Sequence, residues 1–155
     1  MTDLEIRPLV PGDADAVDLL LTSDSPRYRQ HFEAFPGGRA EIETALAQAD
    51  NDAFSGLFVD GELGALVMLR GLDAGFIAPA FGVYVAERHA GRGLGTLALA
   101  FAETWCKLDG RAEMMLTVHP EHAAARRLYE DQGFTASGEH SEIGHVVYRK
   151  RLRLR

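Results

Sequence analysis

The sequence predicts a mixed α/β fold in one domain, with a mostly antiparallel sheet and helices on both faces. The chain has 155 residues, the size of one ordinary domain. Its apolar residues recur with the period of strands in some segments and of helices in others. The predicted elements follow the order β-α-α-β-β-β-α-β-α-β-β. Hairpins together with one β-α-β crossover are typical of a mixed sheet.

The first half of the chain supplies one strand, two helices and a hairpin. Asp13 follows a Pro-Gly pair and is placed to cap the first helix, and Asp60-Gly61 is a pair typical of tight hairpin turns. The predicted segments are a strand at 4–10, a helix after residue 13, an irregular stretch rich in aromatic residues at 22–38, a helix at 40–49, and strands at 54–59 and 64–69.

The second half alternates strands and helices before a closing pair of strands. Pro79 and Gly82 fall inside the next strand, so we expect that strand to be bulged or bent. Gly110 and Gly133 end the two helices. The predicted segments are a strand at 76–86, a helix at 93–108, a strand at 113–118, a helix at 121–132, and strands at 134–137 and 145–154.

Composition and charge exclude several classes of protein. The net charge of −7 argues against nonspecific nucleic-acid binding, which depends on neutralising phosphates. Neither an apolar run long enough for a membrane span nor a basic, apolar secretory leader is present. Cys106 is the single cysteine, and no Cys/His spacing resembles a metal site. We therefore expect a cytoplasmic protein with no metal, no membrane contact and no nucleic-acid partner.

A glycine-rich turn connects the predicted strand at 76–86 to the helix at 93–108. It reads Ala90-Gly91-Arg92-Gly93-Leu94-Gly95-Thr96. Glycines allow backbone N–H groups to approach a ligand closely, and the first turn of a helix favours an anion. Arg88 and Arg92 would add charge-assisted contacts. The turn predicts a phosphate site, and a pyrophosphate fits this chemistry.

Three other interpretations compete for the same turn. A P-loop ends in Gly-Lys-Ser/Thr, which is absent. A dinucleotide fold places an acid at the carboxyl end of the next strand, but here Glu113 lies at its beginning and His119 at its end. The glycines alone are equally compatible with a turn that serves helix–sheet packing.

A second motif resolves this ambiguity. It reads His122-Ala123-Ala124-Ala125-Arg126-Arg127-Leu128-Tyr129-Glu130-Asp131-Gln132-Gly133-Phe134. With the turn, it resembles the GNAT superfamily of acyl-CoA-dependent N-acetyltransferases, whose pyrophosphate turn reads Arg/Gln-x-x-Gly-x-Gly/Ala and whose later helix carries Asn-x-x-Ala-x-x-Leu-Tyr-Glu-x-x-Gly-Phe. The order of elements matches too. The resemblance implies a single N-acetyltransferase domain over 1–155 with a splayed pair of parallel strands.

The resemblance implies that an acetyl group passes from acetyl-CoA, the co-substrate, to a primary amine by direct attack in a ternary complex. Tyr129 matches the general acid of the family. For the base, Glu33, His31, His119, Glu121 and a water chain stay open. The cofactor-binding residues predicted from the turn and the resemblance together are Val83, Val85, Arg88, Ala90, Gly91, Arg92, Gly93, Leu94, Gly95, Thr96, His122 and Ala125.

Two residues depart from the family pattern. Ala90 stands where Arg or Gln is usual, and His122 where Asn is usual. A non-catalytic acyl-CoA-binding or sensing domain on the same fold is therefore the alternative function. The acceptor is expected between residues 22–38 and 137–145, and it is either a small-molecule amine or a protein or peptide amine. Family members often form dimers, so a homodimer is the oligomer that the resemblance implies.

The C-terminal segment carries arginines at alternate positions. We expect them to form the solvated face of an edge strand, which resists aggregation. The alternating residues are Arg149, Arg151, Arg153 and Arg155.

Overall fold

In a computed structural model, which describes residues 1–153, the chain forms a seven-stranded mixed sheet with helices on both faces. Two short 3-10 turns, at Pro11–Asp13 and Glu87–His89, precede α1 and the glycine-rich turn. The elements are β1 (Leu4–Pro8), α1 (Ala14–Ser23), α2 (Pro26–Arg29), α3 (Arg39–Gln48), β2 (Ala53–Val59), β3 (Glu62–Arg70), β4 (Ala80–Val85), α4 (Leu94–Leu108), β5 (Glu113–Val118), α5 (Ala123–Asp131), β6 (Thr135–His140) and β7 (Val146–Arg151).

The sheet has the strand order β1-β2-β3-β4-β5-β7-β6, with β4 and β5 parallel and the other neighbours antiparallel. The parallel pair is joined at Ala80 and Met115, next to a hydrogen bond of 3.0 Å from Met115 N–H to the Pro79 carbonyl oxygen. Beyond that point the two strands separate toward their carboxyl ends. The predicted fold class, including the splayed pair, is confirmed.

The prediction of a bulge in β4 is wrong. Its register with β3 is continuous from Ala80 to Val85, and the register shifts of the sheet fall instead between Leu57 and Phe58 of β2 and between Ala136 and His140 of β6. Gly82 serves close packing, because a Cβ there would lie 2.9 Å from the Met68 Cε. The splay therefore arises where β5 leaves a regular β4.

Some predicted boundaries also differ. The strand expected at 76–86 begins at Ala80, because residues 71–79 form turns that leave Phe76 and Ile77 exposed. Residues 22–38 include the short helix α2. Asp13 lies at the start of α1 without a side-chain capping bond, since its carboxylate accepts two hydrogen bonds of 3.0 Å from the Arg7 guanidinium. The side chain therefore ties β1 to α1.

The hydrophobic core has two parts, one on each face of the sheet. One part packs β-strand side chains such as Phe81 against α4 and α5, and we call this side the α4/α5 face. The other part packs side chains such as Tyr84 against α1 and α3, and we call this side the α1/α3 face. Cys106 is fully buried in the first part, where burial raises the pKa of its thiol to about 12. That environment fits a packing role.

The arginines of the C-terminal segment do not lie on an edge strand. β7 lies between β5 and β6, and the Arg149 guanidinium reaches Glu113 of β5 at 3.1 Å and Glu139 of β6 at 3.2 Å. The edge position belongs to β6. Arg155 and the predicted end of the last strand at Leu154 lie outside the described residues.

Candidate active site

A cleft of about 960 Å³ opens where β4 and β5 separate. Its walls come from β4, the glycine-rich turn, the end of β5, the first half of α5 and the segment that follows α1. The sequence-predicted residues that line it are Val83, Val85, Ala90, Gly91, Leu94, Gly95, His122, Ala125 and Tyr129.

The main chain of β4 faces this cleft at Val83 and Val85. The hydrogen bonds from Ala86 N–H to the Gly64 carbonyl and from Met115 N–H to the Pro79 carbonyl show which residues face each neighbouring strand. Since backbone groups alternate along a strand, even-numbered residues bond to β3 and odd-numbered residues face β5. The polar backbone groups of Val83 and Val85 therefore point into the gap, where β5 has moved away.

The glycine-rich turn leaves its backbone open to this cleft. Gly91 and Gly93 have φ values of +76° and +92°, a conformation that glycine adopts without strain. A Cβ built at Gly91, Gly93 or Gly95 would meet no atom within 4 Å. The first helical bond of α4 runs from Leu97 N–H to the Gly93 carbonyl, so the earlier amides of α4 have no partner within the helix. An anion placed here meets unshielded N–H groups.

The arginines and Thr96 take positions outside the cleft wall. The Arg88 guanidinium lies 3.6 Å from a Glu62 carboxylate oxygen and 3.4 Å from the Leu63 carbonyl oxygen, so it is directed toward β3. Arg92, Gly93 and Thr96 are exposed around the turn and do not line the cleft. The structure thus brings the glycine backbone to the cleft, but not the Arg88 side chain.

His122 occupies the N-cap of α5, and its Nδ1 accepts a hydrogen bond of 3.4 Å from Ala125 N–H. An asparagine at an N-cap would use its amide oxygen in the same way. Burial, followed by the charges of His31 and His119, lowers the pKa of the His122 imidazole. At Ala90 the short side chain lines the cleft without a polar group. His122 therefore retains the capping bond of the family's asparagine, whereas Ala90 removes the side-chain donor that Arg or Gln would supply.

Tyr129 lies in the wall of the cleft on the α4/α5 face. Its ring packs edge-to-face against Phe81 and Phe134, with centroid distances of 6.2 Å and 5.9 Å. Burial alone raises the pKa of its hydroxyl to about 12. The residue is 9% exposed and lines the cleft. A phenol held in this way stays protonated at neutral pH and can donate a proton to a group inside the cleft.

The α1/α3 face contributes two tyrosines whose hydroxyls are already engaged. The Tyr28 hydroxyl donates a hydrogen bond of 2.7 Å to the Val85 carbonyl, and the Tyr84 hydroxyl donates one of 2.6 Å to the Asp24 carboxylate. Burial and the negative charge of Asp24 raise the pKa of both phenols. Neither is suited to act as a base. Tyr28 also spans the cleft from α2 to β4.

Four of the five histidines that line the cleft form a cluster, which sequence reasoning did not foresee. The ring of His31 lies 4.3 Å from that of His119 and 5.2 Å from that of His122, and His119 lies 5.4 Å from His145, all between centroids. They come from three segments, because His119 and His122 both lie in the β5–α5 connection, and no single local motif connects all four. The one available signal was the alternation of β5: Met114, Leu116 and Val118 are buried toward α4, which turns His119 to the opposite face.

No helix within residues 1–153 is both long and apolar enough to cross a bilayer.

A splayed parallel pair, an open glycine turn at a helix start and a protonated tyrosine between them define a site for an anionic, strand-like donor of a transferable group. The model of the acetyltransferase (GNAT) family matches residues 18–134, so the chain belongs to that family of transferases. A curated relative, the uncharacterized N-acetyltransferase YobR of Bacillus subtilis, is 40% identical over 58 residues, which are 37% of this chain. That match spans 24% of the relative's own length.

Solved structures of the family share the whole fold. A GNAT acetyltransferase from Streptococcus pneumoniae is 24% identical, with a TM-score of 0.76 over 97% of this chain and 100% of its own. The GNAT domain of S. lividans PAT has a TM-score of 0.82 at 19% identity, over 96% and 90% of the two chains. The PaiA N-acetyltransferase from Thermoplasma acidophilum, in complex with coenzyme A, has a TM-score of 0.74 at 17% identity, over 96% and 99%.

Proposed function

We propose that the protein transfers an acetyl group from acetyl-CoA to a primary amine by direct attack in a ternary complex. The observation that carries this proposal is one cleft in which the open glycine turn, the backbone edge of β4 and the Tyr129 hydroxyl meet. The coenzyme A complex of a structural relative supports the choice of donor. For the acceptor we propose an amine of a small molecule or of a protein or peptide.

The residues present fit coenzyme A. The amides of the glycine turn suit the diphosphate, because the space above all three glycines is open. The cleft-facing groups of Val83 and Val85 suit the amide-containing arm, which can pair with β4 as an added strand would. His122 and Ala125 at the start of α5 form the facing wall. When bound, the thioester supplies an activated acetyl group.

In the proposed reaction, the Val83 N–H and Tyr129 have separate roles. We assign the Val83 N–H as the donor that polarises the acetyl carbonyl oxygen, since it points into the gap between the strands. The amine forms the new C–N bond as the C–S bond breaks. Tyr129 gives its hydroxyl proton to the departing sulfur, and its phenolate regains a proton, through water, from the nitrogen that becomes the neutral amide. No nucleophile of the enzyme is needed, which agrees with the burial of Cys106.

A non-catalytic acyl-CoA-binding or sensing role is the second candidate. It is favoured by Ala90, which removes a donor near the phosphates, and by the Tyr28 hydroxyl, which already bonds the Val85 carbonyl. Incubation of the protein with acetyl-CoA and a panel of amines, with thiol release as the readout, separates the two. Acetyl transfer to at least one amine supports the enzyme. Binding of coenzyme A without thiol release across the panel would favour the sensor.

A further inference from the structure

A protonated acceptor amine must lose one proton before it can attack, and neither Tyr129 nor the Val83 N–H accepts that proton. A primary alkyl ammonium has a pKa near ~10, so at neutral pH a base must take the proton before or during attack. Tyr28 and Tyr84 are held protonated on the α1/α3 face. The cleft is otherwise rich in imidazole, whose ordinary pKa suits proton exchange near neutrality.

Two of the four histidines have tautomers that the backbone sets. The Nδ1 of His119 accepts a hydrogen bond of 3.1 Å from Glu121 N–H, and the Nδ1 of His122 accepts one of 3.4 Å from Ala125 N–H. A nitrogen that accepts must carry a lone pair, so the proton of each neutral ring lies on Nε2. Protonation would occur at Nδ1 and oppose the backbone donor. In its neutral form, neither ring therefore has a lone pair free for a substrate.

The His31 ring differs from these two. It lies beside both of them, at 4.3 Å and 5.2 Å between centroids with tilts of 35° and 39°, and is the member of the cluster in contact with both of these rings. Its Nδ1 is buried without a hydrogen-bond partner among the described residues, so proton exchange with the cleft passes through Nε2.

We propose that His31 is the residue that takes the proton of the acceptor amine, at Nε2, and that His119 and His122 are positioning residues that hold its ring. This inference rests on the proposed acetyl transfer. The resting His31 then carries its proton on Nδ1. The ammonium N–H bond breaks, its proton joins Nε2 to form an imidazolium, and the freed electron pair forms the C–N bond. The imidazolium returns its proton to water after the product leaves.

Other charged and titratable groups surround the His31 ring and contribute to any pH profile. They line the same cleft from three directions. They are His119, Glu121 and His122 from the β5–α5 connection and the start of α5, His145 from the segment before β7, and Tyr28 and Glu33 from the segment that carries His31 itself.

The tautomers provide a test that needs no acceptor. In the full chain labelled with ¹⁵N-histidine, two-bond ¹H–¹⁵N spectra at a pH where the rings are neutral distinguish the two forms. We expect His31 as the Nδ1–H form and His119 and His122 as Nε2–H forms, with signals assigned by single substitutions. An Nε2–H form of His31 would overturn the proposal, because its cleft-facing nitrogen would then have no lone pair.

The kinetic test compares His31→Gln with His140→Gln, an exposed histidine of β6 outside the cleft. We expect His31→Gln to lower kcat about 100-fold at pH 7 with the best alkyl amine of the panel. It should also remove the low-pH limb of the rate profile. The defect should shrink to a few-fold with a fluorinated analogue whose amine is already neutral. His140→Gln should behave as wild type.

The outcomes separate failure of this inference from failure of the proposed function. Wild-type activity with an unchanged rate and pH profile in His31→Gln would overturn the inference alone. Equal loss for both amines, or loss of coenzyme A affinity in the same variant, would assign His31 a structural role and also overturn it. If the wild type releases no thiol with any amine while the ¹⁵N spectra match expectation, the acetyl transfer fails, and the assigned role of His31 fails with it.

Discussion

The imidazole of His122 caps α5 through its Nδ1, which requires a neutral ring. A protonated ring would present N–H to the Ala125 N–H and lose the cap. Burial and the neighbouring His31 and His119 lower the pKa of this group below its usual 6.5, in the direction that preserves the cap. The replacement of the family's asparagine therefore keeps one hydrogen bond but makes it sensitive to acid.

The first prediction concerns this sensitivity. The pKa of His122 in the folded protein is below its unfolded value of 6.5. Between these two pKa values, the unfolded chain therefore binds more protons than the folded protein. The stability that a neutral His122 contributes is present above about pH 6.5 and falls as the pH drops toward the folded pKa. In His122→Asn, the free energy of unfolding should decline less between about pH 7.5 and about pH 5.5. Urea titrations across this range measure it, and an identical slope in both proteins would contradict the prediction.

Tyr129 allows a second prediction at the same scale. Its hydroxyl lies at the cleft, where burial raises the pKa, and it makes no hydrogen bond to another side chain within residues 1–153. Tyr129→Phe should lower kcat about 100-fold while the coenzyme A Kd changes less than about 2-fold. Tyr148→Phe is the matched control, since that buried hydroxyl donates to Glu130 at 2.7 Å outside the cleft. It should lower stability rather than kcat. Equal activity of Tyr129→Phe and wild type would remove Tyr129 from the mechanism.

At the scale of an element, the start of α4 combines low helix propensity with an open surface. Gly93 begins the helix in the left-handed region, whereas Gly95 lies in the first turn with a negative φ, and a Cβ added there would meet no atom within 4 Å. Neither the backbone conformation nor the packing within the protein therefore requires a glycine at position 95. The space beside it is what a bound diphosphate would use.

Gly95→Ala should consequently change stability and binding in opposite directions. Alanine favours helix formation over glycine by up to about 1 kcal/mol in a helix interior, so the free energy of unfolding should rise by roughly 0.5 kcal/mol. The added methyl group should weaken coenzyme A binding about tenfold or more, as measured by calorimetry. Ala100→Gly, at an exposed position farther along α4, should destabilise without changing affinity. Unaltered affinity in Gly95→Ala would mean that the diphosphate binds elsewhere.

At the scale of the whole molecule, the cleft divides a sheet that is continuous at one end and open at the other. The two hydrophobic clusters lie on opposite faces, and the strand pairing between β4 and β5 is limited to Ala80 and Met115. A donor that pairs with the free edge of β4 would complete the sheet across this gap. Binding should therefore stabilise the entire fold rather than one loop.

This expectation can be measured as a thermal shift. Coenzyme A at 100 times its Kd contributes about 2.7 kcal/mol to folding, which corresponds to a rise in Tm of roughly 5–10 °C for a domain of this size. Gly93→Asp adds a negative charge and a side chain at a φ of +92°, so its own Tm should be lower and its shift should vanish. A full shift in Gly93→Asp would show that the turn does not hold the phosphates.

Much of this architecture follows from local patterns. The Asp60-Gly61 turn has φ values of +51° and +84°, as its residue types predict, and β5 spans Glu113–Val118 as expected. The bulge predicted at Gly82 was wrong, because this glycine makes room for Met68 of the neighbouring strand. The edge strand predicted around Arg149 was also wrong, since the partners of this arginine belong to strands far away in the chain. Local signals describe the backbone well but do not report which side chains meet.

The sequence by itself determined the order of the longer elements, the family and the glycine-rich turn, because each depends on residues that are close together in the chain. Tertiary structure alone decided that Arg88 turns toward β3, that Tyr28 reaches the Val85 carbonyl, and that four histidines from three segments meet. These contacts join residues that the chain keeps dozens of positions apart. They exist only once the sheet and the segments that cross it bring those residues together.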